Sequence, residues 1–182
     1  MKIASYFDNK VILIKNKIFS DNRGFFRETY NKKLFKSIGI KDTFVQDNHS
    51  LSKKKGTLRG MHFQTKPFEQ SKILTVKKGK IFDVVLDIRK NSKYFGMHKS
   101  FILSDKNNYQ IYVSKGFAHG FLTLEENTEI DYKVSNFYSP KHEKTIVWND
   151  KDLNIKWNYS KVTISKKDRN NAYLFKDIIK IL

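Results

Sequence analysis

Two short stretches concentrate the residues that could do chemistry. In Gly56-Thr57-Leu58-Arg59-Gly60-Met61-His62-Phe63-Gln64 an arginine stands between two glycines, with a histidine three residues on. In Lys115-Gly116-Phe117-Ala118-His119-Gly120-Phe121 a second histidine is bracketed by glycines and aromatics. Lys72 opens the apolar run after the first stretch, and Tyr132 sits in the middle of a later one. Imidazole serves as a metal ligand or as a proton carrier near neutrality. A metal site takes three or four ligands. Here His62 is followed by Phe63 and Gln64, the first acid after it is Glu69, and no His-x-His pair occurs. Two isolated histidines fall short of a site, so no bound metal is expected. The chain has no cysteine, which excludes disulfides, thiolate metal sites and a thiol nucleophile. Standing alone, His119 reads as a packed, hydrogen-bonded core residue and Tyr132 as a core tyrosine.

Strands must position these groups. Residues two apart in a strand share a face, so Gly60, His62 and Gln64 point one way and Arg59, Met61 and Phe63 the other. A bulge at Gly60 would turn Arg59 to the side of His62. Short apolar runs recur about every ten residues: Val11 to Ile14, Ile73 to Val76, Ile81 to Ile88, Phe101 to Leu103, Gln110 to Val113, Phe121 to Leu124 and Ile130 to Val134. That rhythm with polar turns is the mark of a sandwich or barrel. Gly79 suits a turn joining the second and third runs as a hairpin. Helix signals are few: Asn31 to Ile38 forms one short helix, and Asp168 to Leu182 holds another. With two prolines and no Gly/Ser-rich linker, residues 1–182 read as one all-β domain.

The formal charge of +18 invites a nucleic-acid reading. The excess is nearly all lysine, however, with arginine only at 23, 27, 59, 89 and 169. Nucleic-acid readers lean on arginine forks, so scattered surface lysine is the expected explanation, with steering of a small anion the second. No apolar run reaches membrane-helix length, and the opening residues Met1 to Asp8 lack a signal-peptide core. A cytoplasmic protein without nucleic-acid or membrane partners is the expectation.

Several stretches together resemble the dTDP-4-dehydrorhamnose 3,5-epimerases. They are Asp21-Asn22-Arg23-Gly24-Phe25-Phe26-Arg27-Glu28, Phe44-Val45-Gln46-Asp47-Asn48-His49-Ser50, Gly56 to Gln64, Gln70-Ser71-Lys72, Gly79 to Val84, Gly116 to Phe121, Trp148-Asn149-Asp150 and Ser165 to Asn170. The match runs in order from about Ile18 to Arg169. It implies a metal-free cupin, a double-stranded β-helix or jelly roll, forming a homodimer and needing no cofactor. The implied substrate is a nucleoside-diphosphate 4-keto sugar, of dTDP-6-deoxyhexose or GDP-heptose type, on the way to surface polysaccharide. A proton beside the C4 ketone leaves from one face and returns to the other, at C3 and C5.

By the same resemblance His62 is the base and Asp168 the carboxylate that orients it. Lys72 stabilises the enolate, and such a donor is worth about 3–4 kcal/mol. Tyr132 is the acid on the opposite sugar face. Arg59, whose fork suits a diphosphate, and His119 are pocket residues. Gln46 and Asn48 match sugar or phosphate contacts, and Tyr138 stacks on the base. Phe19, Arg23, Phe26 and Glu28 match positions near the nucleotide, some of them offered by the neighbouring subunit. Without the resemblance, Asp168 reads as a helix N-cap. A C3-only epimerase, a sugar-nucleotide ketoisomerase and a non-catalytic sugar-nucleotide-binding cupin stay open as alternatives.

Overall fold

The computed structural model describes residues 2–182. In chain order its elements begin with β1 (Lys2–Tyr6), β2 (Val11–Lys15), β3 (Ile18–Asp21), β4 (Gly24–Arg27), α1 (Lys32–Ser37), β5 (Gln46–Ser52), β6 (Leu58–Gln64), β7 (Lys72–Lys78) and β8 (Lys80–Asp87). They continue with β9 (His98–Ser104), β10 (Tyr109–Val113), β11 (Phe117–Thr123), β12 (Thr128–Val134), β13 (Glu143–Ile146), α2 (Lys166–Asn170), β14 (Ala172–Tyr173) and α3 (Phe175–Ile178).

Two six-stranded sheets face each other as a jelly roll. One has the order β1-β2-β10-β7-β12-β5, the other β14-β13-β6-β11-β8-β9. The main core lies between them: Leu74, Val76, Ile111, Val113 and Ile130 from the first sheet meet Ile81, Val85, Leu103, Phe117 and Phe121 from the second. Each sheet also buries part of its outer face. Beneath the second, Leu58, Met61, Phe63, Val84, Leu86 and Leu122 pack on Leu153, Ile155 and Trp157 of the C-terminal segment. Over the first, Ile12, Ile14, Ile73 and Tyr112 are covered by Phe35 and Ile40. A strand buried on both faces has no polar side to show, which is why residues 81–86 read as an almost unbroken apolar run.

Helix α1 matches its expected span. The Asn31 side chain accepts from the Lys33 and Leu34 amides and so caps it. Its buried Phe35 supplies about 1.5–3 kcal/mol of transfer free energy.

Two expectations are corrected. β7 and β8 do not pair as a hairpin: they belong to different sheets, and Gly79 carries the chain from one to the other. The turn residue was recognised, but sheet membership is decided by distant partners, β10 and β12 for β7, β11 and β9 for β8. The stretch from Asp168 to Leu182 is not one helix. α2 ends at Asn170, Ala172 and Tyr173 pair in parallel with Thr145 and Ile146, and α3 follows. Of the Ile178, Ile179 and Leu182 that suggested the helix, only Ile178 is buried. Among the described residues no helix is long and apolar enough to cross a membrane.

Candidate active site

The site lies at one end of the inter-sheet space, in a cavity of about 640 Å³. Its walls come from both sheets. Gln46 and Asn48 on β5, Lys72 on β7 and Tyr132 on β12 enter from the first. Arg59 and His62 on β6, His119 on β11 and Glu143 on β13 enter from the second, and Lys167 and Asp168 of α2 close the side.

Strict alternation would send Arg59 and His62 to opposite faces. The ladder between β6 and β11 prevents this. His62 pairs with His119 and Arg59 with Phe121, so three steps along β6 oppose two along β11. One extra residue is accommodated at Gly60–Met61, the bulge the alternation argument required. Leu58, Met61 and Phe63 consequently share the outer core while Arg59 and His62 share the cavity. Glycine is demanded at the crossing. A Cβ on Gly60, whose φ is +132°, would lie 2.4 Å from the Gly120 Cα. The Arg59 guanidinium is braced by Ser52 Oγ and the Leu51 carbonyl, both at 3.2 Å.

His62 Nε2 lies 2.7 Å from Asp168 Oδ1. Burial of the Asp168 carboxyl pushes its pKa up. The hydrogen bond from His62, the His62 charge, Ser165 and Lys167 outweigh that and hold it below the ordinary value. An ionised Asp168 assigns the shared proton to Nε2 and leaves Nδ1 as the ring's free acceptor. Asp168 is not the helix cap. Ser165 is, its Oγ accepting the Asp168 amide at 3.0 Å. That cap fixes the first turn of α2 and thereby the carboxylate that faces His62.

Desolvation lowers the pKa of Lys72 to about 8, against the pull of Glu143 and Asp83. Its ammonium has no hydrogen bond or ion pair among the described residues. Tyr132 packs against the inter-sheet core. Desolvation raises its phenol, Arg59 opposes this, and Glu143 and Tyr138 add to it. Tyr132 therefore keeps its proton at neutral pH. His119 is buried as expected of a core histidine, yet it also lines the cavity. Its Nε2 donates to Asp83 Oδ2 at 2.8 Å.

Tyr138 stands at the rim. Its amide donates to Gln46 Oε1 at 3.1 Å, and its hydroxyl donates to Glu143 Oε2 at 2.8 Å. Lys167 ion-pairs with the same Glu143 oxygen. Glu143 and Lys167 were not singled out from the sequence. They sit in charged loop and helix-end surroundings without periodicity, and no local pattern marks them. Of the expected residues, the structure brings together His62, Asp168, Lys72, Tyr132, Arg59, His119, Gln46, Asn48 and Tyr138. Phe19, Arg23, Phe26 and Glu28 are not part of this cavity's lining. The first three lie on β3, β4 and their turn, strands that among the described residues pair only with each other, and Glu28 follows β4. Among the described residues no group of three or more His, Cys, Asp or Glu side chains is placed to hold a metal ion.

Residues 9–176 match the family model of dTDP-4-dehydrorhamnose 3,5-epimerase. The chain belongs to that family. A dTDP-4-dehydrorhamnose 3,5-epimerase of Salmonella typhimurium is 48% identical over 160 residues, covering 87% of each chain. The crystal structure of the Bacillus anthracis epimerase with TDP and PPi bound superposes with a TM-score of 0.93 at 44% identity, covering 96% of this chain and 99% of that one. The Legionella pneumophila enzyme, solved in complex with dTDP-4-keto-L-rhamnose, gives 0.90 at 40% identity, covering 96% and 93%. The jelly roll of this epimerase is accordingly the cupin-type barrel, and the protein is an isomerase acting on a sugar nucleotide.

Proposed function

We propose that this epimerase inverts C3 and C5 of a dTDP-linked 4-keto-6-deoxyhexose, using His62 and Tyr132 on opposite sugar faces. The observation that carries the reading is the entry of the Asp168-bound His62 from one sheet and of the proton-bearing Tyr132 from the other into a single cavity. His62 Nδ1 removes the proton beside the ketone, and the C–H electrons move onto the C4 oxygen. The Lys72 ammonium offsets the charge of that enolate. The enolate then collapses and carbon takes the Tyr132 proton on the other face. Exchange with solvent takes the proton from His62 and returns one to Tyr132. Ligands of the Legionella and Bacillus relatives favour thymine as the base and a hexose as the sugar. Arg59 and Lys167 are the cations for the diphosphate, and Tyr138 stacks on the base. Gln46 and Asn48 complete the sugar and phosphate contacts.

The same proposal covers assembly and place. The chain works as one domain in a cytoplasmic homodimer, on the way to surface polysaccharide. The β3–β4 hairpin supports the dimer: Phe19, Phe25 and Phe26 are 52%, 64% and 69% exposed, an apolar surface that a neighbouring subunit would cover. Phe19, Arg23, Phe26 and Glu28 then reach the nucleotide held by the partner.

Incubation with dTDP-4-keto-6-deoxyglucose in D2O tests the reading. Deuterium should appear at C3 and C5 of an inverted product. Exchange at C3 alone would make the protein a C3-epimerase. Movement of the carbonyl would make it a ketoisomerase, and binding without exchange a non-catalytic cupin.

A further inference from the structure

His119, which lines the cavity, and Asp83, buried behind it, form a second histidine–carboxylate pair that the reaction above does not use. Asp83 lies on β8 between Ile81 and Val85, on the face that looks into the inter-sheet core, and it is 0% exposed. Its Oδ2 accepts from His119 Nε2. Its Oδ1 is buried with no hydrogen-bond partner among the described residues. A buried carboxylate with one oxygen unpartnered is held at a cost unless a nearby positive charge offsets it. Lys72, on the opposite sheet, projects from the same face as Leu74 and Val76 and is likewise without a direct partner. The two groups are complementary, and Asp83 favours the charged form of Lys72. The other charges facing Lys72 are Glu143, which acts in the same direction, the His62–Asp168 pair, and the cations Arg59 and Lys167. Tyr132 and Tyr138 are the phenols nearby.

We infer that Asp83 is a positioning residue of the epimerase: its Oδ2 fixes the tautomer of His119, and its free Oδ1 is the counter-charge that keeps Lys72 an ammonium facing the C4 oxygen. This rests on the role proposed for Lys72. Only an ammonium can offset the enolate, and desolvation alone works toward the neutral amine. With Nε2 committed to Asp83, His119 presents Nδ1 as its remaining acceptor.

Asp83→Asn tests this, because an amide keeps the shape and one acceptor for His119 but removes the charge. The titration of Lys72 is read without substrate, by competitive labelling of amines and mass spectrometry across the alkaline range. The midpoint should fall by about one pH unit, and the alkaline limb of kcat should fall with it. At a pH near 8 that is about a fivefold loss of kcat, with KM within twofold. His119→Gln, which retains the Asp83 charge, should leave the Lys72 midpoint where it is in the wild type. An unmoved midpoint in folded Asp83→Asn, or an equal shift in His119→Gln, overturns the inference. Should Asp83→Asn not fold, the infrared spectrum of wild-type protein carrying 13C-labelled aspartate decides at neutral pH. No protonated-carboxyl band supports the inference, and such a band overturns it. Failure of the wild type to exchange deuterium would strike the reaction instead, leaving the labelling result intact.

Discussion

His62 and His119 are direct cross-strand partners on β6 and β11, and each commits its Nε2 to its own aspartate. The two rings share a wall of one cavity but differ in setting. Asp83 is wholly inside the core, whereas Asp168 sits on a capped helix turn at the side. His62 is half-buried and His119 buried, and the reaction proposed above makes His62 the base.

His62→Asn should abolish deuterium exchange at both C3 and C5, a loss of about 10²–10⁴ or more, read by NMR of the sugar. Asp168→Asn should lower kcat about 10²-fold or more by releasing the ring and its tautomer, with KM little changed. Asp168 is held below its ordinary pKa. Its stabilising contribution is therefore complete above the ordinary carboxylate range and lost as pH falls through the lower native value. Acid denaturation of wild type and Asp168→Asn should converge at the acid end of that window.

Tyr132→Phe should separate exchange from inversion. Abstraction by His62 needs no phenol, so wash-in of deuterium should persist while the inverted product falls about 10²-fold. Unchanged inversion would remove Tyr132 from the acid role.

Lys72→Met should trade activity for stability. The native lysine has a pKa of about 8 against an ordinary value near 10.5. At neutral pH the desolvated charge is thus a burden, and methionine should raise unfolding stability by about 1–3 kcal/mol. Between those two values the unfolded chain binds the extra proton, so wild-type stability rises with pH across the window. Urea midpoints of the two proteins should approach each other as pH climbs through it, while the variant's kcat stays about 10²–10³-fold down.

The strands were legible because burial on both faces leaves its trace as apolar runs, Ile81 to Leu86 being the clearest. α1 was legible because Asn31 caps it locally. What escaped was non-local. Nothing near Gly79 says that its flanking strands go to different sheets. His62 and Asp168 are separated by 106 positions, and only the family resemblance joined them. Asp83 stood inside a matched stretch without a role, because its partner His119 is 36 positions on. A carboxylate among Ile, Phe and Val was the available signal. Glu143 and Lys167 were missed because their pairing exists only once β13 and α2 meet.

Glu143→Ala tests that missed pair. It should free Lys167 and the Tyr138 hydroxyl together and loosen the rim, raising KM for the sugar nucleotide about five- to twentyfold. Steady-state kinetics check it, and an unchanged KM would show that the Gln46 contact with the Tyr138 amide suffices to hold the rim.

Charging the hairpin by Phe26→Asp should shift the protein toward monomer in sedimentation. If the hairpin completes the partner's site, activity should fall in step with the monomer fraction.

The surplus residue at Gly60–Met61 sets a limit for redesign. Deleting it to regularise the ladder would rotate the upstream half of β6 by one phase, swinging Arg59 out of the cavity and into the outer core. Adding side chains at the Gly60–Gly120 crossing would wedge the two strands apart. This strand can have an ideal ladder or a guanidinium beside an imidazole, but its length does not permit both.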